Sequence, residues 1–106
     1  MNTRNWYAWI DKMPPPPDQF HVVGEVEVAN PGVEALLQVR NPQGINPAIL
    51  LLDLHLVQNP GMWPQVITWV QARYDKVLAP GSTCYTDVEI FYQNDPVARV
   101  PVQIVQ

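Results

Sequence analysis

Twelve of the 106 residues are proline, at positions 14–17, 31, 42, 47, 60, 64, 80, 96 and 101. Proline lacks an amide hydrogen, and its ring collides with the preceding turn, so a helix ends or kinks where it occurs. The breaks leave uninterrupted stretches of only about 10 to 15 residues. Those stretches are rich in Val, Ile and Thr, whose branched Cβ atoms suit a pleated surface. Asn30-Pro31-Gly32, Asn59-Pro60-Gly61 and Ala79-Pro80-Gly81 each place glycine directly after proline. That order predicts type II turns, with proline fixing φ and glycine accepting a positive φ.

Alternation within the stretches predicts strands. From Phe20 to Ala29, the residues Phe20, Val22, Gly24, Val26 and Val28 share one face, with His21, Glu25 and Glu27 on the other. Val33 to Arg40 continues with Val33, Ala35, Leu37 and Val39 inward. With the intervening turn, the two stretches predict a β-hairpin. Ile49 to Gln58 puts Leu50, Leu52, Leu54 and Leu56 inward, and Leu51, Asp53, His55 and Val57 outward. Val66 to Val77 is extended but has no clear phase. Cys84 to Gln93 predicts Cys84, Thr86, Val88, Ile90 and Tyr92 inward, with Tyr85, Asp87, Glu89, Phe91 and Gln93 outward. Arg99 to Val105 places Val100, Val102 and Ile104 inward, and Pro101 marks it as an edge strand. At the N-terminus, Trp6, Trp9, Ile10 and Met13 fit a helical period, whereas Trp6, Ala8 and Ile10 fit a strand. The four prolines that follow demand extended chain and favour the strand. Residues 1–19 then read as an N-terminal strand plus a proline-rich spacer. The fold class expected is all-β: a single-domain antiparallel β-sandwich over 1–106, immunoglobulin-like, with six to seven strands. A small β-barrel is the alternative.

Composition excludes several functions. The formal net charge of −4 opposes binding to a phosphate backbone, so no nucleic acid partner is expected. One cysteine rules out an internal disulfide framework and a multi-cysteine metal knuckle. The apolar run Ala48 to Leu52 is too short to span a membrane, and no secretory leader pattern is present, so a cytoplasmic location is expected. Charged residues are 15% of the chain and hydrophobic ones 47%, against about 25% charged in an average domain. Apolar area is therefore expected on the surface as well as in the core.

Candidate sites follow from spacing. Asp53 and His55, two apart on one strand face, have the chemistry of an acid/base pair or a metal seed, with His21, Glu25, Asp87 or Glu89 as further donors. A solvated polar face explains the same residues without a ligand. Glu25 with Glu27, and Asp87 with Glu89, have the spacing of paired carboxylates, but no cleft-forming insertion accompanies them. Met13, His21, His55 and Met62 are soft-metal donors far apart in sequence. Cys84 has no local base and reads as a small packed hydrophobe, and Ser82 lacks a glycine elbow. The four prolines 14–17 read as a stiff spacer. The stretch Asn59 to Pro64 reads as a loop joining two long strands, with Met62, Trp63 and Pro64 as an interaction tip or, equally, as a lid on the fold.

No cofactor motif is present. These features point to a non-enzymatic protein acting by protein–protein interaction or self-association, with a homodimer as the simplest form. The run Ile49 to Leu52 is apolar on both faces, so it reads as a strand covered on both sides, by the partner sheet and by something else. One alternative is a carbohydrate-binding module that uses Tyr85, Phe91, Trp63 and Trp69 as a platform. Another is a small metal-binding protein or hydrolase.

Overall fold

The computed structural model describes residues 1–12, 16–79 and 85–105. Seven strands form, and no helix occurs among the described residues: β1 (Thr3–Asp11), β2 (Gln19–Val28), β3 (Val33–Val39), β4 (Ile49–Gln58), β5 (Thr68–Val77), β6 (Asp87–Tyr92) and β7 (Asp95–Val105). Hydrogen bonding joins them in the order β3-β4-β6-β7-β1-β2-β5. The outermost strands, β3 and β5, approach one another, so the sheet curls almost into a barrel. The barrel alternative fits this order. One strand, β7, belongs to both halves. Its residues 95–101 pair with β6, and 102–105 pair with β1.

Alternation builds the core as expected in β2 and β4. Phe20, Val22 and Val26 from β2, and Leu50, Leu52 and Leu54 from β4, are buried. Ala8 and Ile10 from β1, Ala72 from β5, Val88 and Ile90 from β6, and Val100 from β7 join the layer. The N-terminal segment is a strand, with Trp6 packed against this cluster beside Ala8 and Ile10.

Several expectations are corrected. The sheet is mixed rather than antiparallel, since β1–β7 and β4–β6 run parallel. The hairpin of β2 with β3 does not form. Both edges of β2 are taken, by β1 and by β5, while β3 pairs with β4. The reason lies in Asn30, which is buried between the two strands. Its Nδ2 donates to Gln58 Oε1 at 2.9 Å, and Gln58 Nε2 donates back to Asn30 Oδ1 at 3.1 Å. That amide pair pins the connection to the end of β4 and sends the chain across to it. Gly32 does not adopt a positive φ, so the turn there is not type II. Glycine is needed for a different reason: an added Cβ would fall 2.4 Å from the Trp63 ring.

Pro101 does not mark an edge, because β7 is central. Amides alternate sides along a strand, and the Val102 N–H donates to Thr86 O beside β6. The Pro101 nitrogen therefore faces β1, one residue before pairing with β1 begins at Val102. Tyr85 turns inward against the core, and Val39, Thr86 and Ile104 are exposed rather than buried. The outer side of the two-faced run Ile49 to Leu52 stays partly open, and its own neighbour in sequence meets it at Leu51. Gln43 Nε2 donates to Leu51 O, the Leu51 N–H donates to Gln43 Oε1, and Gly44 lies against the Leu51 side chain. The turn expected at Ala79-Pro80-Gly81, the first prolines of the spacer, Met13, Ser82 and Cys84 all fall wholly or partly outside the described residues.

Candidate functional site

The middle of β4 gathers polar side chains around Asp53. The β6–β7 connection is a two-residue turn, with Gln93 at φ 50 and Asn94 at φ 68. Positive φ at both central residues matches the twist of a tight hairpin, and asparagine tolerates it better than most residues. This turn brings Asn94 to Arg40, which follows β3. Arg40 Nη2 donates to Asn94 Oδ1 at 2.8 Å, and Nη1 donates to Asp53 Oδ1 at 3.1 Å. The guanidinium carbon lies 4.5 Å from the centre of the Phe91 ring. A planar cation over an aromatic face adds to the charge-assisted hydrogen bonds. Beside this knot a cavity of about 320 Å³ is lined by Asp53, Leu54, His55, Leu56, Tyr92, Gln93 and Asn94.

Asp53 is thus an anchor for Arg40, which removes it as a base for His55. His55 is exposed and sits opposite Leu36 in register. His21 lies in the other half of the sheet, so the three weak metal candidates Asp53, His55 and His21 do not converge. Among the described residues no group of three or more His, Cys, Asp or Glu side chains is placed to hold a metal ion. At least one carboxylate of each proposed pair is also engaged. Glu25 accepts from Asn5 at 2.6 Å and meets Arg4 at 3.4 Å, while Asp87 accepts from Thr86 at 3.0 Å and lies 3.7 Å from Arg99.

A second feature is not among the candidate sites drawn from spacing. On the outer face of β1 and β2, the rings of Tyr7 and Trp9 lie 5.3 Å apart, and those of Trp9 and His21 lie 5.0 Å apart. His21 Nδ1 is 2.5 Å from Asp75 Oδ1, and Arg73 Nε donates to both oxygens of Asp75 at 3.1 and 2.9 Å. Burial pushes the Asp75 carboxyl up, but the hydrogen bonds and charges of Arg73 and His21 outweigh it and hold the pKa below the usual value. The signal for the row was available: Tyr7 and Trp9 alternate with Ala8 and Ile10, so they must face out if the latter face in.

The loop tip is split. Met62 projects fully into solvent. Trp63 instead lies over Gly32, and its Nε1 donates to Asn59 O at 3.0 Å. Pro64 is exposed beside it. The four rings expected to form a sugar platform are dispersed. Tyr85 packs on Phe20, Phe91 under Arg40, Trp69 under Arg4, and Trp63 on Gly32. Comparison with protein-family models, with curated proteins and with solved structures finds no match to this chain.

Proposed function

We propose that this is a non-enzymatic protein that binds other protein chains, with a second copy of itself as the first partner to test. The observation carrying this reading is an exposed apolar strip on β3 and β4. Leu36 is 48% exposed and Val57 42%. They lie diagonally across neighbouring strands, within reach of each other. They flank an open groove of about 610 Å³ lined also by Leu37, Gln38, His55 and Leu56. Exposed aliphatic side chains on a strand at the rim of a sheet favour contact with another chain. We further infer a two-layer, immunoglobulin-like packing. It is supported by the parting of β1 from β7 ahead of Ala8 and Val102, where each follows its other neighbour.

Light scattering across a concentration series tests the reading. The expected result is a mass that rises to that of a dimer, and returns to that of a monomer in Leu36→Asp with the strand dichroism unchanged. A monomeric mass at every concentration removes the second copy as partner.

The Tyr7–Trp9–His21 row favours a second reading, binding of a neutral sugar chain. Aromatic faces stack on the apolar faces of sugar rings, and Asp75 and Gln103, which flank the row in register, offer hydrogen bonds to hydroxyls. Titration with soluble oligosaccharides of glucose and of N-acetylglucosamine should then shift tryptophan fluorescence, and Trp9→Ala should abolish the shift. Unchanged emission in the parent protein ends this reading.

A further inference from the structure

We infer that the open flank of β4 at Leu54–Gln58 is a docking edge for an extended peptide, which adds to the sheet as a strand beyond the end of β6. This rests on the reading of the protein as a binder of protein chains and names the form its partner takes.

The inference starts from backbone accounting. Arg40 N–H donates to Leu51 O, Leu51 N–H donates to Gln43 Oε1, and Asn59 N–H donates to Gly32 O. All three bonds lie on the β3 side of β4. Backbone groups alternate sides along a strand, so odd-numbered residues of β4 serve β3 and even-numbered ones face β6. Pairing with β6 ends at Asp53 opposite Phe91, and the chain then turns back at Gln93 and Asn94. β4 continues for five residues more, to Gln58. Leu56 and Gln58 therefore direct N–H and C=O groups to a flank where no described strand pairs. The cavity lined by Asp53 to Leu56 and Tyr92 to Asn94 lies on that flank.

The edge itself defines its occupant. Donors and acceptors that repeat every second residue of a strand are matched by another extended backbone. At about 3.3 Å per residue, the open length takes a peptide of about five residues. Its inward side chains would lie beside Leu54, Leu56 and Tyr92, and its outward ones beside His55 and Val57.

The other unpaired flanks are poorer templates. The free edges of β3 and β5 lean towards each other. The open part of β1 carries a bulge at Asn5 and Trp6. The open part of β7 contains Pro96 and ends at Pro101. Bulges and prolines are the usual protections of an exposed edge. The sequence Leu54-His55-Leu56-Val57-Gln58 contains no proline, glycine or lysine.

Hydrogen exchange and titration of the ¹⁵N-labelled full chain with acetyl-Thr-Val-Thr-Val-Thr-amide test this. In the free protein the Leu56 and Gln58 amides should exchange at least about tenfold faster than that of Leu52. The peptide should shift and slow Leu56 and Gln58 and leave His55 and Val57, already bonded to β3, protected as before. The same peptide N-methylated at alternate residues should have no effect. The inference is overturned if Leu56 and Gln58 are already protected, if neither responds at millimolar peptide, or if the methylated peptide acts equally. A chain that dimerises but ignores the peptide keeps the proposed function and loses this inference. A monomer that takes up the peptide loses only the second copy as partner.

Discussion

Replacing Phe20 with alanine should lower the free energy of unfolding by about 3–5 kcal/mol. Phe20 is the largest side chain in the structure with no solvent exposure. Its ring meets Tyr74 edge-on, at 6.4 Å and 70°, and Tyr85 at 5.4 Å and 63°. It therefore ties β2 to β5 and to the chain entering β6. Truncation loses the transfer free energy of the ring and leaves a cavity that the surrounding strands close only in part. The loss is a large fraction of the total stability of a small domain, about 5–15 kcal/mol. Urea unfolding of the parent, Phe20→Leu and Phe20→Ala measures it, with the leucine variant losing less because more volume remains. A second readout is Tyr74, whose phenol is raised above the usual tyrosine range by burial and then by Tyr85. Opening the core should bring its titration down towards the ordinary value. A loss under about 1 kcal/mol for Phe20→Ala would show that the apolar layer does not centre on this ring.

The strands were legible because burial has a period of two. Phe20 to Val28 and Leu50 to Leu54 alternate in sequence and in the structure alike. Strand partners were not legible, and the connection at residues 29–32 shows why. A proline and glycine between two alternating stretches look the same whether the chain folds back beside itself or crosses to another strand. The deciding contact, Asn30 with Gln58, spans 28 residues of sequence. Pro101 misled for a related reason. Its missing donor is harmless at an edge, and equally harmless where a central strand changes neighbours. The site divides the same way. Asp53 and His55 could be placed on one face from their spacing. The Arg40 fork that occupies Asp53 depends on a turn at Gln93 and Asn94 that alternation alone does not reveal. Gln43 and Gly44 lie against Leu51, a contact that alternation along β4 does not reveal.

Gly24→Ala should destabilise the protein by about 1–3 kcal/mol, although alanine is otherwise the better strand residue. Register between β1 and β2 jumps from Arg4–Glu25 to Tyr7–Val23, leaving Asn5 and Trp6 opposite Gly24. Asn5 takes a φ of 57 to make this bulge. The extra residue reverses the phase of β1, so that Arg4 reaches Glu25 and Trp69 on the outside while Trp6 packs inward. The Trp6 ring then lies directly on Gly24, where an added Cβ would fall 2.1 Å from Cε3 and 2.3 Å from Cδ2. These are atoms of the rigid ring system, so relief requires the whole indole to swing or the bulge to slip. Trp6→Ala removes the obstacle, and Gly24→Ala in that background should be neutral or stabilising. Denaturant midpoints of the parent, both single variants and the double variant give the coupling directly, expected at 1 kcal/mol or more, about the size typical of residues in contact. Additive effects would mean that the ring yields without strain. The bulge would then be held by Asn5 and its hydrogen bond to Glu25, and the outward phase of Tyr7 and Trp9 would not depend on glycine at this position.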